Sequence, residues 1–179
     1  MISNSNHIGP QQAFENKFFA TPVPPPLQGI LGNDTDLPNL NFVWTAGSII
    51  ACYFEAQDSG LVYQQNVKAL SVAPGNRMRV AIYEKTNPDS GINLVLSPDI
   101  VNFGTTLVEM NFAQSLAITA GSEYWLVCQA ENDCYYPYDS SLLNQYGFIS
   151  TAAFGTFPAS FNGIFTNTNI LQFWANYTY

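Results

Sequence analysis

From residue 41 onward the chain reads as short runs of alternating apolar positions cut by turn residues. Residues 48–56 carry two apolar sets, Ile49/Ala51/Tyr53 and Ile50/Cys52/Phe54, which predicts a strand covered on both faces. A turn at Asp58, Ser59 and Gly60 leads to a second run at 61–73, and Pro74, Gly75 and Asn76 end it. Met78, Val80 and Ile82 then alternate with Arg77, Arg79, Ala81 and Tyr83, the period of a strand. A turn at 87–91 and a run at 92–96 follow. Residues 106–112 set Val108, Met110 and Phe112 opposite Leu107, Glu109 and Asn111. Residues 116–119, a turn at Ala120 and Gly121, and residues 123–130 read as a hairpin-like unit, and 146–151 and 170–178 as two late strands. That is about eight or nine strands at roughly 10–15-residue spacing, with no amphipathic run long enough for a βαβ unit. The pattern predicts an all-β fold, an antiparallel jelly-roll-like β-sandwich, occupying 41–179.

Residues 1–40 lack this periodicity and predict an extended, proline-rich N-terminal arm. Residues 11–19 allow one helical turn, while Pro22, Pro24, Pro25 and Pro26 fix φ and remove donors, favouring an extended polyproline strap. Gly29, Gly32, Asn33, Asp34 and Pro38 read as turns. Phe14, Phe18, Phe19 and Leu27, with Ile30 and Leu31, are large apolar side chains that need a surface to cover them. The arm is therefore expected to dock, through these residues and Pro24, Pro25 and Pro26, on its own domain or on a neighbour.

Composition narrows the function classes. Charged residues make up only 10% of the chain, against about 25% in ordinary domains. Surfaces so poor in charge suit proteins packed against other proteins. The net charge is −8 with five basic residues. Counterion release from phosphate needs clustered Lys and Arg, so nucleic acid is not an expected partner, nor is an anionic membrane. No apolar run approaches the ~20 residues that span a bilayer. The first residues lack a basic region and an apolar run, so no signal peptide is expected. Cys52 and Cys128 fall in apolar strands and Cys134 in a loop, and this odd count without CxxC spacing offers neither a disulfide framework nor a zinc set.

Catalytic chemistry finds little material. His7 is the sole histidine and sits in the arm, which starves any Ser-His-Asp or Cys-His system. The acids Asp34, Asp36, Asp58, Asp89, Asp99, Asp133 and Asp139 are spread over turns and read as solvated, although Asp133 and Asp139 leave a calcium ion open as an alternative. The expectation is a protein without catalytic residues, cofactor or metal.

Binding has better material in two connections. Residues 131–144 hold Tyr135, Tyr136 and Tyr138, which suit a protein interface, a glycan, or closure of the sandwich end. Residues 152–169 hold Phe154, Phe157, Phe161 and Phe165 among Gly, Pro and Asn. Exposed together, four phenylalanines would form a large apolar patch, so they are expected either to fold back on the core or to meet another subunit.

Two stretches also carry a resemblance. Residues 79–91, with Arg79, Val80, Ala81, Ile82 and Tyr83 before Pro88 and Gly91, and residues 116–127, with Gly121, Tyr124 and Trp125, resemble strands of jelly-roll domains found in bacteriophage virion proteins and in extracellular carbohydrate-binding proteins. The resemblance implies a fold and no site residue. With the arm and the low charge, it implies a capsid decoration (cement) or head-fibre protein of the virion. Such a protein would be made in the host cytoplasm and form a homo-oligomer, first of all a trimer, docked on other virion proteins. The alternative is a carbohydrate- or receptor-binding module.

Overall fold

The computed structural model describes residues 25–37, 39–71, 75–87, 90–97, 107–139, 146–162, 165–167 and 170–179. Among them every regular element is a strand, and all pairings are antiparallel. In chain order they are β1 (Gln28–Gly32), β2 (Asn39–Trp44), β3 (Ser48–Glu55), β4 (Gly60–Lys68), β5 (Leu70–Ser71), β6 (Met78–Asn87), β7 (Ser90–Leu96), β8 (Leu107–Ile118), β9 (Glu123–Ala130), β10 (Cys134–Asp139), β11 (Tyr146–Thr151), β12 (Ser160–Asn162), β13 (Phe165–Asn167), β14 (Ile170–Leu171) and β15 (Phe173–Thr178). One sheet runs β12-β7-β6-β9-β3-β11-β13 and a second β1-β15-β4-β8. A small third sheet runs β14-β10-β2, with β5 also on β10.

The jelly-roll character lies in one folded ribbon. β3 pairs with β9 in the seven-stranded sheet, and β4 with β8 in the four-stranded one. The two chain segments thus stay paired as they cross from one sheet to the other. The crossing is tied by Ala56 N–H to Ser122 O at 2.9 Å, Gly121 N–H to Ala56 O at 2.8 Å and Ala120 N–H to Ser59 Oγ at 2.9 Å. Gly121 adopts φ +76°, the left-handed region that this tight turn requires.

The main core fills the space between the sheets. Ile50, Cys52, Phe54, Val80, Ile82, Leu126 and Cys128 face Val62, Val67, Val108, Met110, Phe173 and Tyr177 across it. Buried Gln65 spans the same space, its Nε2 donating to Val127 O of the opposite sheet at 3.2 Å. The alternate residues of the central strands form a second core on the outer face of the seven-stranded sheet: Ile49, Ala51, Ala81, Tyr83, Trp125 and Val127, with Phe161 laid over them. The two apolar sets of β3 therefore serve two cores, as its period-two pattern requires.

Two boundaries differ from the sequence expectation. β1 lies inside the segment expected as arm, pairs with β15, and sinks Leu31 into the main core at 1% exposure. Its glycines serve packing as well as turns: the ring of Tyr177 lies 2.3 Å from where a Cβ on Gly29 would stand. Residues 106–112 and 116–119 join as one long strand, β8, whose pairing with β4 is irregular between Val62 and Gln64. A bulge absorbs the extra residues there without ending the strand.

Candidate functional site

The tyrosine segment is a strand. In β10, Cys134 and Tyr136 are buried while Tyr135 is half-buried and pairs with Val43 and Leu70. The register slips between Tyr136 and Tyr138, at Pro137, which has no N–H to give the ladder. Tyr136 stacks edge-on against Phe173 with centroids 5.9 Å apart, and its hydroxyl accepts from the Cys128 thiol at 3.7 Å. Tyr138 is half-buried against the main core. Of the three rings only Tyr135 points away from that core, so they form no shared flat platform.

The three cysteines are buried and free, with Cys128 and Cys134 beside Tyr136, and Cys134 also accepts from Asn76 Nδ2 at 3.2 Å. Burial pushes the thiols of Cys52 and Cys134 up to about 12 and that of Cys128 well above its ordinary value. Burial likewise holds the Tyr136 hydroxyl far above its ordinary value. These groups stay protonated at neutral pH and act as packing atoms rather than nucleophiles. Among the described residues no group of three or more His, Cys, Asp or Glu side chains is placed to hold a metal ion.

The phenylalanine segment folds back as a strap over the second core. Phe161 is buried against Tyr83 (centroids 4.9 Å apart) and Trp125 (6.0 Å), and Phe157 packs beside them. Phe154 is half-buried with the Arg77 guanidinium 4.8 Å over its ring. Phe165 lies on β13, where the backbone pairs with Phe148 of β11. The strap is held by polar latches. Arg79 Nη1 donates to Gly155 O at 2.8 Å, the Tyr83 hydroxyl to Pro158 O at 2.7 Å, and Asn93 N–H to Ala159 O at 2.9 Å. Gln129 donates to Gly47 O and Ala152 O and accepts from Gly155 N–H.

Of the arm, Phe14, Phe18, Phe19 and Pro24 lie outside the described residues, as does His7. Pro25, Pro26 and Leu27 are exposed and lead directly into β1. At that end of the four-stranded sheet three large apolar side chains face solvent: Leu27 at 63%, Leu61 at 50% and Tyr179 at 48% exposure. Tyr179 N–H donates to Leu27 O and its ring lies 5.8 Å from that of Tyr177, while Leu61, in register with Thr178, falls on the opposite face of the same sheet end.

The described cations are all engaged within the fold. Arg77 holds Glu131 with two bonds of 2.9 and 2.6 Å, which keeps that carboxyl below its usual range. Lys85 pairs with Glu123 and lies 4.1 Å over the Tyr53 ring, and Lys68 pairs with Asp36. No helix among the described residues is long and apolar enough to cross a membrane.

A different surface was not visible as a site in the sequence. On the outer face of the four-stranded sheet, Asn176 Nδ2 donates to Gln64 Oε1 at 2.6 Å and Gln64 Nε2 donates to Asn111 Oδ1 at 3.1 Å. The next row is Trp174, Asn66 and Glu109, in register across β15, β4 and β8. Their sequence signal is weak, because β4 shows polar residues at 64, 65 and 66 without alternation until the bulge is known.

No family model matches the chain, and no curated protein matches it.

Proposed function

We propose that this chain is a non-enzymatic structural protein of a bacteriophage virion, a capsid decoration or head-fibre component that acts by subunit packing. The observation that carries the reading is the apolar end of the four-stranded sheet, where Leu27, Leu61 and Tyr179 stand exposed beside the point at which the proline-rich segment enters. In the sequence that segment also carries Phe14, Phe18 and Phe19, apolar residues suited, like this end of the sheet, to burial across a subunit boundary. The poverty in charge supports it, since few ionic groups would need desolvation at such a boundary. The tyrosine and phenylalanine segments contribute by closing the fold, which leaves the contact to this end. Burial there would stabilise the shell by mass action, with a symmetric oligomer, first a trimer, as the unit.

The test is removal of residues 1–24, which spares β1. The truncated domain is expected to unfold at the same temperature as the full chain yet to be lost from particles on heating. Particles that assemble and withstand heat equally well with the truncated chain overturn the reading.

A further inference from the structure

We infer that the outer face of the four-stranded sheet binds a neutral glycan, with Asn66 and Trp174 at the centre of the site. The inference is independent of the shell reading and rests on a different surface. Asn66 is 1% exposed, yet neither its Nδ2 nor its Oδ1 has a hydrogen-bond partner. Gln64, which precedes it on the same face, makes its bonds to Asn111 and Asn176 along the surface of the sheet. By alternation the Asn66 amide lies on that outer face as well. An amide buried without partners is costly, of the order of 1–3 kcal/mol, and such groups are uncommon in folded proteins.

The surroundings say what would satisfy it. Asn66 offers two N–H donors and a carbonyl acceptor side by side. A sugar hydroxyl both donates and accepts, so two vicinal hydroxyls match one side-chain amide. Next to it in register, the indole of Trp174 is half-exposed. A flat ring beside an amide row suits the apolar face of a pyranose together with its hydroxyl edge. The amide chain Asn111–Gln64–Asn176 extends the same chemistry to a second row, which fits a chain of sugars better than a single one. A protein strand would need a free backbone edge, whereas this surface presents side chains. The overall charge of −8 disfavours acidic polysaccharides. At 1% exposure the Asn66 amide is closed in this conformation, so binding requires a covering side chain to move aside; half-exposed Trp174 and exposed Glu109 flank it in register.

The experiment is native gel electrophoresis of the full chain through soluble mannan, mixed-linkage β-glucan, arabinoxylan and amylopectin, followed by calorimetry with an oligosaccharide of the retarding polymer. Retardation by at least one polymer is expected. Trp174→Ala and Asn66→Leu are each expected to weaken binding at least tenfold, while Asn66→Leu keeps or raises the unfolding temperature because it removes an unpaired amide. Tyr135→Ala is expected to bind like the parent. The inference is overturned if no polymer retards the parent chain, if binding survives both sheet-face substitutions, or if Tyr135→Ala alone abolishes it.

Discussion

The amide N–H of Gly155 donates to Oε1 of Gln129 at 2.8 Å, joining the strap to the middle of the seven-stranded sheet. Gln129 has no exposed surface, and its Nε2 serves carbonyls on both sides of the same crossing. One side chain therefore stands in for the ladder that the strap lacks at this point.

Gln129→Leu keeps the volume and removes every one of these bonds. Leaving several backbone groups unpaired is expected to cost about 2–4 kcal/mol. Urea unfolding measures the loss, and limited proteolysis should cut first within 152–160. A variant that resists protease there like the parent would show that apolar packing alone holds the strap.

Phe161→Ala tests that packing. The ring contacts Tyr83 and Trp125 and covers a small core that has little else above it. The expected cost is about 3 kcal/mol, measured by thermal or urea unfolding. Phe154→Ala, whose ring meets a guanidinium near the surface, should cost clearly less.

Two glycines separate steric from backbone demands. Gly29→Ala places a methyl against the buried Tyr177 ring and is expected to cost about 1–3 kcal/mol. At Gly121 an added Cβ meets nothing within 4 Å, so Gly121→Ala carries only its positive φ, about 1 kcal/mol. Denaturant unfolding of both variants should give that order.

The thiols predict a pH dependence. Cys52 and Cys134 titrate at about 12 in the folded chain, above an ordinary value of 9.0. A raised thiol pKa means that the unfolded chain loses its proton first. The stabilising contribution is complete below pH 9.0 and is lost as pH rises towards 12, by about 1.4 kcal/mol per pH unit for each thiol. Denaturant unfolding between these limits should show the decline, and a shallower decline in Cys52→Ala/Cys134→Ala, which keeps the raised Cys128 thiol, would assign that share to these two thiols. Iodoacetamide at pH 8 should leave the folded chain unlabelled and modify all three cysteines once it is unfolded.

Period-two alternation made much of the sandwich legible. Met78, Val80 and Ile82 fall on the core face, and the double apolar set of β3 signals two covered faces. Local signals fail where pairing decides. Cys134 sits among Asn132, Asp133 and Pro137 and reads as loop, but its backbone completes a ladder with Trp44 and Ser71, distant in sequence. The tyrosines after it look like a surface cluster, yet strand geometry turns Tyr136 inward. The destination of the phenylalanines had two readings because nothing in their own segment encodes the partners Arg79, Tyr83 and Gln129. Asn66 gave no signal, since its significance lies in partners it does not have.

The folded ribbon also orders events in time. Residues 48–68 find their ladder partners in 107–130, 146–151 and 173–178, all later in the chain, whereas β6 and β7 are joined by a short turn and pair locally. Closing so long a loop before any reward is slow, and all-β chains of this kind fold in milliseconds to seconds. On a ribosome the first half of the ribbon emerges with its apolar positions unpaired and must wait for β8 and β9. The β6–β7 hairpin is the piece able to form during that wait, and it then offers β9 an edge to join.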